Sequence, residues 1–132
     1  MAATGINKRK LAKYHGQVYC YMDLPETAKK AKERGVTRAA VCMEESAGLK
    51  GEVIYAIGNA PTALVRLYEM IKEGRIRPAL IIGVPVGFVN VVESKELIMS
   101  LDIPYIVAEG RKGGSNIAAA ICNALLYQAD NF

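Results

Sequence analysis

The sequence predicts an α/β fold in three layers, αβα, on a mostly parallel sheet. Two observations carry this expectation. Apolar runs that read as strands alternate with stretches of helical periodicity, repeating about every 25 residues, which marks βαβ units. Three of the apolar runs are nearly continuous rather than alternating, as strands covered on both faces are. Right-handed crossovers would then lay helices on both faces of the sheet.

The first strand is expected at 18–22, VYCYM. PETAKKAKERG follows as a helix, with Pro25 near its first turn, where the missing N–H costs little, and Gly35 closing it. VTRAAVCMEESA reads as a second helix, and 52–57, EVIYAI, as the second strand. In the helix expected over 62–73, Leu64, Leu67, Tyr68 and Ile71 recur at i, i+3, i+4, i+7 spacing, and Gly74 stops it. The third strand is expected at 79–86, ALIIGVPV. VVESKELIMSL then reads as a helix with a weaker stripe, and 104–108, PYIVA, as the fourth strand. Residues 115–128 close the pattern with an apolar stripe through Ile117, Ala120, Ile121, Ala124 and Leu125.

The chain has 132 residues, 52% hydrophobic and 23% charged, which suits one globular domain over 1–132. No apolar run reaches the ~18 residues of a membrane span, and MAATGINKRKLAKYHG lacks the apolar core of a signal peptide. Cys20, Cys42 and Cys122 cannot all pair within the chain, so reduced, packed thiols in a cytoplasmic protein are expected. The net charge of +4 arises partly from NKRKLAK and KKAKER, which read as solvated helix faces. Aromatic residues are not interleaved with them, so neither nucleic acid nor membrane is expected as a partner. A mild basic excess suits an anionic small molecule.

Ligands of parallel α/β sheets bind beyond the carboxyl ends of the strands. Three turns fall there: GNAPT at 58–62, GVPVGFV at 83–89 and GRKGGSN at 110–116. Each precedes a helix N-terminus, whose unpaired N–H groups favour an anion by ~0.3–1 kcal/mol. Arg111 and Lys112 add cations, and Ser115 is placed to cap the last helix. Any βα turn uses Gly, Pro, Asn and Ser; three such turns on one edge, one beside Arg-Lys, point further, to an anion site. Neither the dinucleotide fingerprint nor the P-loop spacing is present, so the anion is as well a carboxylate, or several, as a phosphate. His15, the single histidine, sits in a polar turn, KYHGQ. No zinc spacing, serine triad or C-x-x-C pair exists, so no metal is expected.

IGNAPTALVRLYEMI, PALIIGVPVGFVNVVESKELI and GRKGGSNIAAAICNALL, with GINKRKL and GVTRAAV in the same order, resemble the C-terminal part of the precorrin-8X methylmutases (cobalt-precorrin-8 methylmutases). The resemblance covers nearly the whole chain. It implies a flavodoxin-like fold truncated at its N-terminus, 1–132 being the C-terminal two-thirds of the family domain. It also implies a homodimer with no separate cofactor. The implied activity is an isomerase of cobalamin biosynthesis that moves a methyl group from carbon 11 to carbon 12 of a corrin-like macrocycle. The implied partner is precorrin-8X or cobalt-precorrin-8, a tetrapyrrole bearing many carboxylates. Carried onto this sequence, the substrate-binding residues are Thr37, Arg38, Gly58, Asn59, Thr62, Gly87, Phe88, Ser94, Arg111, Gly113, Gly114 and Ser115, with Val86 and Phe88 against the ring.

The family's proton donor is a histidine of its N-terminal third, which has no counterpart among these residues; His15 falls elsewhere. No catalytic residue is therefore expected here, and little activity from this chain alone. A non-catalytic corrinoid or tetrapyrrole-binding protein is the alternative. Ala39, where the family usually has Ser, and Asn90, Val91 and Val92, where it has small residues, depart from the pattern.

Overall fold

A computed structural model describes residues 5–13, 16–21, 24–87 and 89–129. Its described elements are α1 (Lys8–Ala12), α2 (Pro25–Arg34), α3 (Arg38–Glu45) with a 3-10 turn Ser46–Gly48, β1 (Ile54–Ile57), α4 (Pro61–Lys72), β2 (Leu80–Gly83), α5 (Val91–Met99), β3 (Tyr105–Val107) and α6 (Ser115–Ala129). No described helix is long and apolar enough to cross a membrane.

The three strands are parallel, in the order β1-β2-β3. Ile54 pairs with Leu80 and Ile81 with Tyr105. Alternate residues face opposite sides, as the two-residue period of a strand requires. Tyr55, Ile57 and Ile81 pack with Leu64 and Leu67 of α4 and Ile98 of α5. Ile82 packs with Ala118 of α6, flanked by Ala56, Leu80, Ile106, Ile121 and Leu125. Two cores therefore sit one on each side of the sheet, with α4 and α5 on one face and α6 on the other, giving the three layers the sequence predicts.

Local chemistry sets the helix ends. Gly35 takes φ 66 and closes α2, with the Val36 N–H donating to Ala31 O at 3.1 Å, a Schellman-type end that needs a residue tolerant of the left-handed region. Thr37 caps α3 by accepting from Ala40 N at 3.1 Å. Helix α1 falls in NKRKLAK, is capped by Asn7 and is docked on α6. Asn7 N donates to Asn123 Oδ1 at 2.7 Å, and Asn123 Nδ2 donates to Gly5 O at 2.8 Å.

The strand expected at 18–22 is a correction. Residues 18–21 carry no regular structure and pair with no described strand, and Met22 lies outside the described residues. Val18 and Tyr21 are half-buried while Tyr19 and Cys20 are exposed, so neither alternating face is covered. Val and Tyr raise strand propensity, but propensity without a partner and a buried face does not hold a strand. The other three strands are shorter than expected: β1 begins only at Ile54, β2 ends at Gly83 where the chain turns towards α5, and β3 keeps only Tyr105–Val107.

Candidate functional site

Each strand delivers a turn to the same edge of the sheet. Beyond β1, residues 58–60 lead to α4, which opens at Pro61 with no side-chain cap. Beyond β2, 84–90 lead to α5, opened by Asn90 at φ 57, also without a side-chain cap. Beyond β3, 108–114 lead to α6.

The turns touch each other closely. Val84 N donates to Ile57 O at 2.9 Å, Gly114 N to Val84 O at 2.8 Å, and Gly87 N to Arg111 O at 3.1 Å. A Cβ on Gly58 would lie 2.5 Å from Ser115 Cα, and one on Gly113 would lie 2.0 Å from Val84 O. These two glycines are thus required first for turn to meet turn. The fourth contributor is the start of α3, where Thr37 Oγ1 lies in a hydrogen bond of 3.1 Å with Thr62 Oγ1 of α4. Thr37, Arg38, Asn59 and Thr62 are exposed around that contact, and Arg111 and Lys112 are exposed on the loop after β3. Apolar surface interrupts this polar rim, Val86 being 45% and Val89 78% exposed.

The structure therefore brings together Thr37, Thr62, Gly58, Gly87, Arg111, Gly113, Gly114 and Ser115, with Arg38 and Asn59 adjoining in sequence. Ser94 differs. It is buried, and its hydroxyl donates to Val91 O at 2.8 Å, so it braces the first turn of α5 from inside. Ser115 is also not the cap of α6. The helix opens at Ser115, so the cap position falls on Gly114, whose carbonyl accepts from Ala118 N at 3.0 Å. Ala39 is buried in the core beneath α3. Phe88 and His15 lie outside the described residues.

Lys95 was missed from the sequence. It is 1% exposed on α5, and its Nζ donates to Ala108 O at 2.5 Å, Gly110 O at 2.8 Å and Lys112 O at 3.1 Å. Burial holds its pKa below that of free lysine. A signal existed: Val91, Ser94, Lys95 and Ile98 form an i, i+3, i+4, i+7 set, and all four are buried. The stripe of VVESKELIMSL is weak in apolar terms because two of its inward positions are polar.

Elsewhere, burial pushes the Cys42 thiol up to about 11 and also raises that of Cys122, which keeps both protonated near neutral pH. Among the described residues no three His, Cys, Asp or Glu gather to hold a metal ion.

Comparison with known proteins bears on this edge. Residues 1–128 match the family profile described as precorrin-8X methylmutase. The chain is 42% identical to the cobalt-precorrin-8 methylmutase of Priestia megaterium, over 99% of its own length and 58% of that protein. It is 44% identical to the precorrin-8X methylmutase of Pseudomonas aeruginosa, over 98% of its own length and 63% of that protein. A solved precorrin-8X methylmutase from Thermus thermophilus superposes with a TM-score of 0.89 at 41% identity, over 99% of this chain and 63% of that one. The chain spans about 60% of the length of the curated relatives it matches, such as 58% and 61% of two of them.

Proposed function

This chain belongs to the precorrin-8X methylmutase family, and from that premise we propose that its sheet edge binds the corrin-like substrate of a methylmutase, an isomerase of cobalamin biosynthesis. The observation that carries the reading is the convergence of three βα turns and the start of α3 on one edge. Arg38, Arg111 and Lys112 lie on that edge beside the exposed Val86 and Val89. A wide ring fringed with carboxylates needs that combination: a few apolar contacts for its face and separated cations for its rim. A guanidinium can grip a carboxylate through two parallel N–H···O bonds, which fixes orientation as well as charge.

In this reading the chain's work is to hold the ring in register while a methyl group moves between adjacent carbons, carbon 11 to carbon 12. Positioning alone can supply a large part of such a barrier. The shift also needs a proton delivered to the ring, a contribution of ~10²–10⁴-fold from a general acid. The edge's described polar side chains are guanidinium, ammonium, hydroxyl and amide groups and the exposed carboxyl of Glu109, and no imidazole is among them. This favours the second reading, a corrinoid-binding chain that does not by itself rearrange its ligand. Reduced thiols and an anionic metabolite as ligand fit a cytoplasmic location, and the family resemblance a homo-oligomer.

Absorbance titration with hydrogenobyrinic acid, a corrin polycarboxylate, tests the proposal. The chain is expected to bind it saturably, and Arg38→Ala to weaken binding by roughly tenfold, the value of one charge-assisted hydrogen-bond pair. Incubation of these 132 residues alone with precorrin-8X is expected to yield negligible product. Absence of saturable binding, or identical affinity in Arg38→Ala, would remove the edge from this role.

A further inference from the structure

The ammonium of Lys95 is buried without a carboxylate among its hydrogen-bond acceptors. Its three donors go instead to three backbone carbonyls, on Ala108, Gly110 and Lys112. Glu96 and Glu109 line a cavity of about 250 Å³ beside it, together with Val92, Met99 and Gly110, but neither carboxylate takes part in those bonds. Burying an ammonium is costly, and a methionine would fill the same space without that cost. What a methionine could not do is organise a loop.

The three acceptors fall on alternate residues, so one side of the loop faces the ammonium. The carbonyl between the last two, on Arg111, points the other way and accepts from Gly87 N at 3.1 Å. The loop is therefore held from both sides, by a side chain of α5 and by the backbone of the turn after β2. Just beyond, Gly114 N is fixed on Val84 O at 2.8 Å. A segment carrying Gly110, Gly113 and Gly114 has wide conformational freedom, and ordering it when a ligand binds would be expensive. Ordering it beforehand removes that cost from binding.

We propose that Lys95 is a positioning residue: from the interior it sets the shape of the 108–112 loop, and so the place of Arg111 and of the start of α6 against the ligand's carboxylates. The inference rests on the binding reading given above.

The test compares the wild-type chain with Lys95→Met, which keeps the stem and removes the donors, and Lys95→Gln, which keeps two donors on a shorter arm. Amide exchange of 108–114 is expected to quicken in Lys95→Met while β1, β2 and α4 keep their protection. Affinity for hydrogenobyrinic acid is expected to fall about tenfold as preorganisation is lost, with Lys95→Gln between the two. Unchanged loop exchange in Lys95→Met overturns the proposal. So does exchange that rises uniformly through the sheet, which would make Lys95 a stability residue only, and so does a loosened loop with undiminished affinity. Lys95→Gln carries the comparison if Lys95→Met does not fold. Failure of the wild-type chain to bind would count against the binding reading; the exchange comparison would still decide whether Lys95 holds the loop.

Discussion

A methyl group on Gly113 would stand 2.0 Å from the carbonyl oxygen of Val84, and the oxygen is backbone, with little room to retreat. Overpacking of this kind typically costs ~1–3 kcal/mol, and here it would also push the loop after β3 off the turn after β2. Gly113→Ala is expected to lower the thermal midpoint by several degrees and to weaken corrin binding. Gly48→Ala, where a Cβ meets nothing within 4 Å, is expected to do neither. A calorimetric scan of the two variants checks this, and equal midpoints would refute the packing argument. The glycines of the three turns were legible in the sequence as turn residues, but not in this role. Composition shows that backbone can come close to something; only the fold shows that Gly58 faces Ser115 and Gly113 faces Val84. The same limit explains Lys95. Its spacing with Val91 and Ile98 was present, but three backbone acceptors from a distant segment leave no trace in local pattern.

Among the elements, α2, α3 and α4 are tied by one carboxylate. Glu44 of α3 accepts from both terminal guanidinium nitrogens of Arg34 on α2, and from Arg66 Nε of α4 at 3.0 Å. Arg34, and with it Arg66, holds the Glu44 carboxyl below the usual glutamate range. A depressed carboxyl pKa contributes stability that is present above the unfolded value and is lost as pH falls through the folded one. Glu44→Gln is therefore expected to cost about 1 kcal/mol at neutral pH, a modest value because Arg34 is half in solvent. The gap from wild type should begin to narrow as pH falls below about 4, the range of an unfolded glutamate, and close only as pH passes through the lowered folded value. Urea melts at pH 7 and pH 3 measure it, and a gap as large at pH 3 as at pH 7 would contradict the assignment. These helices were readable from Pro25, Gly35 and the stripe through Leu64 and Leu67, because helix ends and amphipathic faces are written locally. Strand identity at 18–22 was not, because a strand exists only through its neighbours.

At the scale of the molecule, two cores cover the sheet, yet apolar surface remains. Among the described residues both β1 and β3 pair on one side only. Ile54 is 55% exposed, Tyr105 stands exposed on β3, and Ile117, Ala120, Ala124 and Tyr127 are exposed along α6. Open strand edges and apolar patches favour association. Sedimentation velocity at micromolar concentration is expected to show a species larger than a monomer; a well-folded monomer would contradict this. The layered architecture was legible throughout, since continuous apolar strands separated by amphipathic helices leave few alternatives. The position of the three turns on one edge followed from it. The most direct measurement is the chemical-shift map of the ¹⁵N-labelled chain titrated with hydrogenobyrinic acid. Perturbations are expected to gather at 37–38, 58–62, 84–87 and 110–116. Perturbations gathered at the opposite ends of the strands, or none at saturating ligand, would contradict it.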